Sequence, residues 1–416
     1  MKAYKYVIIG GGVAGGSAVD AIRQIDKEGR LALVTQEVHR PYQRPPLSKG
    51  FMTGKKELKS VYLHQEEEYA RQHVDLLLGL RITGLDPVGR SLSGEGGFAL
   101  NYEKLLLATG GQARRLQIPG NNLAGVFTLR TIEDSECIRS AAGNGRRALV
   151  LGGSFIGCEV AASLTKLGMA VTMAFPEGRL LERIVPPDMG DFLHRFYQEH
   201  GVRLLPKTTA RRLEGTAAVQ RAVLSNKQNL DVDLVVMGVG IDLDTSLAVQ
   251  AGLQVRLEDE AILVDETLRT SNAHIYAAGD IAAWPSDTFG QRLRVEHWDV
   301  ARRQGERAGR NMAGESHAYT ALPYFFSDLF SLSFEAWGNF SNWNRTLLRG
   351  SLEEKSFSCY YFADNRLVGA LAADRPKCER TAIPSLVEAR LPYDLLADSL
   401  RDENFDLSEL AGEKPA

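Results

Sequence analysis

Short apolar runs alternate with amphipathic stretches along this chain. Tyr6 to Ile9 is an apolar run rich in β-branched residues, the pattern of a strand buried on both faces. Ala14, Ala18, Ala21 and Ile22 follow at helical spacing, and a second apolar run, Leu31 to Val34, ends at Thr35, Gln36 and Glu37. The plan returns further on: strand Ala148–Leu151, a helix through Leu167 and strand Ala170–Ala174. Three more strand-like runs end in small residues: Tyr102 to Gly111, Leu234 to Gly240 and Ala273 to Ala282. After the last of these, a helix is expected beyond Asp280.

Between each first strand and its helix lie glycines. Gly10, Gly12 and Gly15 have G-x-G-x-x-G spacing inside a βαβ unit. The first makes the tight turn, the second lets backbone approach a pyrophosphate, and the third lets helix and strand pack closely. The pyrophosphate then meets the helix N-terminus, where N–H groups and the helix dipole favour an anion. Glu37 is placed to bind a ribose hydroxyl. In the second unit Gly152, Gly153 and Gly157 repeat the plan, but Ser154 replaces the middle glycine. Its side chain crowds the pyrophosphate, while its hydroxyl is available as a donor. The usual slot of the acid holds Phe175, and Glu177 lies two residues on. Glu177 on the adenosine ribose favours NADH; nearby Arg179 keeps NADPH as the less favoured option. Two such folds suggest two dinucleotides, a bound flavin and a visiting nicotinamide. Asp280, after Gly279 at a strand end, is a candidate for the ribityl chain, or a helix N-cap.

The 416 residues are 44% hydrophobic and 24% charged, enough for two or three domains of ordinary globular type. A net charge of -3 offers no global field for nucleic acid. No apolar run reaches membrane-spanning length, and the N-terminal run is too short for a signal peptide, so a cytoplasmic protein is expected. Cys137, Cys158, Cys359 and Cys378 form no local pair, and no metal site is expected. No cysteine precedes Cys137.

The segments GGGVAG, RPYQRPPLSK, ATGG, GGSFIGCEVAASL, YAAGD, VEHWDVARRQG and PYFFSDLF together resemble the FAD-dependent NAD(P)H:ferredoxin and rubredoxin reductases, including their apoptosis-inducing-factor-like branch. The resemblance covers nearly the whole chain. It implies an α/β fold with two Rossmann-like dinucleotide-binding domains (FAD and NADH, glutathione-reductase-like) plus a small α/β C-terminal domain. The FAD domain is split, residues 1–115 and 245–320; residues 116–244 form the NADH domain, 321–400 the C-terminal domain and 401–416 a polar, loosely held tail.

The resemblance also implies roles for residues. Pro45 and Pro46 brace a loop that brings Lys49 to the flavin N5. A fixed cation there stabilises the negative charge of the reduced ring. Glu159 is the partner of Lys49, and their ion pair is expected to clip the FAD and NADH domains together. The other FAD-binding residues are Gly10, Gly12, Ala14, Gly15, Glu37, Arg44, Ala108, Thr109, Gly110, Arg130, Gly279, Asp280, Glu296, His297, Trp298 and Phe326. NADH is assigned to Gly152, Gly153, Ser154, Phe155, Ile156, Gly157, Glu159, Phe175, Glu177 and Gly240, with Phe155 at the nicotinamide pocket. Trp298 and Phe326 line the acceptor side; related sequences often carry tryptophan where Phe326 stands. A helix from about His297 points its positive end at the flavin pyrimidine.

Related disulfide reductases keep a cysteine pair, and related peroxidases a single cysteine, near the flavin. Tyr42 stands where the single one falls, so electrons leave the flavin directly. Three functions follow. The first is an FAD enzyme passing electrons from NADH to a ferredoxin or Rieske-type iron–sulfur protein. The second is an apoptosis-inducing-factor-like redox sensor with slow turnover that changes oligomeric state. The third is an NADH oxidase using oxygen. Arg303, Arg307 and Arg310 read as a solvated face or a docking face for an acidic ferredoxin. The protein is expected as a monomer or homodimer.

Overall fold

The computed structural model describes residues 2–410. Contacts divide the chain into two compact units. The first holds the residues up to Arg44, Glu57–Gln112 and Asp242–Pro323; the second holds Pro45–Lys56, Ala113–Ile241 and the chain from Tyr324 on.

In the first unit, strands Val74–Leu77, Leu31–Val34, Lys2–Ile9, Ala99–Leu107 and Ile275–Ala277 form a parallel sheet. An antiparallel ribbon, Ile82–Asp86 and Ser91–Gly94, extends the sheet from the other half of Ala99–Leu107. The first strand starts earlier than its apolar run because Lys2 to Tyr4 pair with Leu100 to Tyr102. Helix Val13–Ile25 packs on helix Trp298–Met312, and small residues set their spacing. A Cβ on Gly305 would lie 2.1 Å from the Ala14 carbonyl oxygen.

Asp280 is followed by strand Ala282–Ser286, not by the expected helix. This strand pairs with Ile262–Leu263 and Gln291–Leu293, and Pro285 within it suits such a short outlying strand better than a helix interior. Asp280 therefore has no helix there to cap.

In the second unit, Arg203–Leu205, Ala170–Ala174, Arg147–Leu151, Leu234–Met237 and Val126–Thr128 form a parallel sheet. Its buried aliphatic face meets an antiparallel trio, Ala210–Glu214, Arg221–Leu224 and Asn229–Asp231. The chain from Tyr324 adds an antiparallel five-stranded sheet with helices Lys377–Ala389 and Tyr393–Arg401. Residues 402–410 correct the expectation of a loose tail. Leu407 and Leu410 are buried, and the Arg349 guanidinium donates to the carbonyls of Ser399, Leu400, Asp402, Glu403 and Phe405. Residues 411–416 of that tail lie outside the described residues.

Among the described residues no helix is long and apolar enough to cross a membrane, and no cluster of His, Cys, Asp and Glu could hold a metal ion.

Candidate active site

The two glycine turns share one geometry. Gly10 has φ +124°, and a Cβ there would sit 2.1 Å from the Ala108 carbonyl oxygen; a Cβ on Gly15 would sit 2.1 Å from that of Gly10. Gly152, with φ +116°, and Gly157 repeat this against Gly238 and Gly152, so no side chain fits at these positions. Gly12 differs: nothing lies within 4 Å of a Cβ placed there. Helix Val13–Ile25 thus begins at an open cradle, with no side-chain cap and no acid in its first turn. An FAD pyrophosphate fits this set of N–H donors.

Helix Phe155–Lys166 likewise starts without a side-chain cap or an acid. Ser154 is exposed, and its hydroxyl donates to the Gly238 carbonyl at 3.2 Å. That donor is committed to the protein rather than waiting for a phosphate. Ile156 is exposed and Phe155 half-buried, its ring edge-on to Phe325 with centroids 5.2 Å apart. Phe175 is fully buried under the Gly153 turn and presents no surface to a ribose. Glu177 pairs with Arg183 at 3.3 Å, while Arg179 is held by Asp191 at 2.6 Å. Gly240 takes φ +100°, and its carbonyl accepts the Arg114 N–H.

The first unit gathers most of the residues expected for FAD. Glu37 receives the Tyr42 hydroxyl at 2.5 Å and Arg44 at 2.8 Å. Ala108, Thr109 and Gly110 end the Ala99–Leu107 strand beside Gly10, and the Thr109 hydroxyl donates to the Asp244 carbonyl. The Gly279 N–H donates to Gln304 Oε1 at 2.8 Å. Gln304, fully buried within the RRQG motif, was not singled out from sequence, where a helical glutamine reads as surface. Glu296 pairs with Arg294 at 2.6 Å. His297 is the N-cap residue of helix Trp298–Met312. Desolvation, opposed by the Asp280 charge, pushes its pKa down to about 4, so its imidazole is neutral at pH 7. Trp298 lies under the Arg302 guanidinium, 5.8 Å from it.

Pro45, Lys49, Arg130 and Phe326 fall in the second unit, with the residues expected for NADH. Pro45–Ser48 is one turn of 3-10 helix, and Pro46 accepts the N–H groups of Lys49 and Phe51. Arg130 precedes the capping box that Thr131 and Asp134 form on helix Ile132–Ala141, and its N–H donates to Asp134 Oδ2 at 2.8 Å. Lys49 Nζ meets Glu159 Oε1 at 2.7 Å and lies 5.6 Å from the Phe326 ring centroid. The expected ion pair is present, but both partners belong to one unit. Residues 45–56 group with the second unit, so the pair lies within that unit while joining the span expected for the FAD domain to the span expected for the NADH domain.

Glu159 is 5% exposed and has more than the lysine. The Ser327 hydroxyl donates to Oε1 at 2.6 Å and the Ser48 hydroxyl to Oε2 at 2.5 Å. The turn itself is tied down by Ser163, which donates to the Ser48 carbonyl at 2.6 Å, and by Ser135, which donates to that of Leu47 at 2.7 Å. Ser48 and Ser327 lay inside the quoted motifs, yet a serine carries no sequence signal that names its distant acceptor.

Two surface and thiol readings also resolve. Arg303 pairs with Asp299, Arg307 with Glu315, and Arg310 with Glu306 and Glu315. The stripe is thus laced with carboxylates along its length, as the solvated-face reading expects. None of the four cysteines is in a disulfide, and Cys158 is buried with its thiol pushed up to about 12 by desolvation. It is inert as a nucleophile.

Residues 4–305 match the family model described as pyridine nucleotide-disulphide oxidoreductase, and residues 324–411 that described as reductase C-terminal. The chain is 33% identical over 410 residues to putidaredoxin reductase of Pseudomonas putida, covering 97% of this chain and 96% of that one. It is 32% identical to the biphenyl dioxygenase system ferredoxin–NAD(+) reductase component of Paraburkholderia xenovorans, over 98% of each. The crystal structure of a covalent putidaredoxin reductase–putidaredoxin complex superposes with a TM-score of 0.92 over 98% of both chains, at 32% identity. This chain therefore belongs to the pyridine nucleotide-disulphide oxidoreductase family, in its group of ferredoxin reductases.

Proposed function

We infer that this protein is an FAD-dependent oxidoreductase that takes electrons from NADH and delivers them to a ferredoxin. The observation that carries this reading is the site at Lys49. A buried carboxylate holds an ammonium at the end of a braced turn, and no thiol exists before Cys137 to divert electrons into a disulfide. FAD, when bound, accepts two electrons as hydride and releases them one at a time.

The chain's own residues bind, orient and polarise. The open cradle at Gly12 and the acid at Glu37 take the pyrophosphate and a ribose of FAD. Lys49 is our candidate for the cation that offsets the negative charge of the reduced ring. The turn at Gly152 to Gly157 takes NADH, with Phe155 and Ile156 lining the nicotinamide end. Glu177 is our candidate for the adenosine ribose, and the capture of Arg179 by Asp191 supports NADH over NADPH. Neutral His297 acts as a packing and hydrogen-bonding group, since hydride transfer requires no base. Unpaired cysteines and a nicotinamide donor fit the cytoplasm.

Anaerobic stopped-flow mixing of the holoenzyme with NADH, and separately NADPH, tests this. Fast bleaching by NADH followed by rapid reoxidation with an added ferredoxin is expected. A slow bleach that ferredoxin does not discharge, accompanied by a change in mass, would replace this reading with that of a redox sensor.

A further inference from the structure

The geometry around Glu159 points to a role for two serines that goes beyond the ion pair, and it rests on the reading of Lys49 given above. We propose that Ser48 and Ser327 are positioning residues that hold the Glu159 carboxylate in place without Lys49, so that the ammonium can leave it during the reaction.

Each carboxylate oxygen has its own hydroxyl donor, Ser327 on Oε1 and Ser48 on Oε2. Lys49 meets Oε1 as well, at 2.7 Å. If the lysine were the sole partner, its departure would strand a buried anion, which is strongly destabilising. With the serines in place, both oxygens keep a charge-assisted hydrogen bond after the ammonium has gone. Neither serine depends on the lysine for its position. Ser48 sits in a 3-10 turn whose carbonyls are anchored by Ser163 and Ser135. Ser327 sits inside strand Tyr324–Leu329, in register with Phe334 of the next strand.

The burial is asymmetric in the same sense. The Glu159 side chain is 6% exposed and that of Lys49 18%, so the cation is the partner with room to move. A second attraction waits close by, the face of Phe326. The arrangement also gives the C-terminal domain a part in the site. Its first strand presents Ser327 to the carboxylate and Phe326 to the lysine.

The experiment is a mutant cycle on the holoenzyme at saturating FAD, with two readouts. The first is the melting temperature of Lys49→Met in the wild-type background and in a Ser48→Ala/Ser327→Ala background. The proposal expects a small shift in the first and at least twice that shift in the second. Equal shifts would overturn it. The second readout is reduction by NADH. The paired serine variant is expected to lose about tenfold in kcat with KM unmoved, and Ser327→Thr, which keeps a hydroxyl, to recover most of it. Wild-type kcat without either hydroxyl would overturn the proposal. Where the paired variant does not fold, each single serine variant carries the same test at half strength. Failure of the underlying reading is separate: Lys49→Met would then be reduced at the wild-type rate, while the melting cycle still reports on the serines.

Discussion

Two glutamates in the second unit are equally buried, Glu159 and Glu379, each 5% exposed. Their partners differ in kind. Glu379 is gripped by two arginines: Arg375 meets Oε2 at 2.8 Å and Arg349 meets it at 3.2 Å, while the Ser358 hydroxyl donates to Oε1 at 2.5 Å. Arg349 is itself fully engaged, with its remaining N–H groups on the carbonyls of residues 399–405. Glu159 has one lysine and two hydroxyls. A guanidinium is planar and forked and loses many bonds at once if it moves; an ammonium is a point charge on a flexible stem. The first pattern fastens a chain terminus. The second holds a charge that can be exchanged.

The widest separation between the two sites is expected from Arg349→Leu. It leaves Glu379 short of one cation and five carbonyls without their donor, and should cost about 3–5 kcal/mol. Urea unfolding measures that loss, and limited proteolysis should cut between residues 399 and 410. A variant as stable and as resistant as the parent would show that Arg349 is no latch.

A smaller effect is expected in acid. Burial opposes the charge of Glu379, but hydrogen bonds from Arg375 and Ser358 and the charges of both arginines outweigh it, so its pKa lies below the ordinary 4.5. The folded protein then binds fewer protons at this group than the unfolded chain does. The stability it contributes is complete above about 4.5 and is lost as pH falls through the depressed value. Glu379→Gln should therefore cost about 2 kcal/mol at pH 7, and the gap to wild type should narrow below pH 4.5. A gap independent of pH would mean that the charge does not matter.

The smallest change in stability, under about 1.5 kcal/mol, is expected from Lys49→Arg. It converts the exchangeable site towards the fastened one, since a fork can engage both oxygens of Glu159. Calorimetry should show a near-native melting point while stopped-flow shows slower reduction by NADH. Unimpaired reduction would mean that release of the cation is not needed.

The two glycine turns show how far local sequence reaches. Their strands, helices and spacing were legible because each is decided by neighbours within about 30 residues. Even the departure at Ser154 could be located, although its hydroxyl's acceptor, Gly238, is remote in sequence. The strand after Asp280 was misread as a helix because its pairing partners, not its own short run, decide it. The ion pairing of the basic stripe was hidden for a related reason: Glu315 reaches back to Arg307 and Arg310 from beyond the helix.

The sequence alone determined the two dinucleotide turns, the absence of an early thiol and the pairing of Lys49 with Glu159 through family resemblance. Periodicity, glycine spacing and composition are local properties, and local properties survive in a linear string. Only the tertiary structure decided which unit the Lys49 turn belongs to, which serines face Glu159 and that residues 402–410 are fastened by Arg349. Those depend on contacts between segments up to 168 positions apart, as between Glu159 and Ser327, and nothing in a serine or an arginine announces the distant group that will satisfy it.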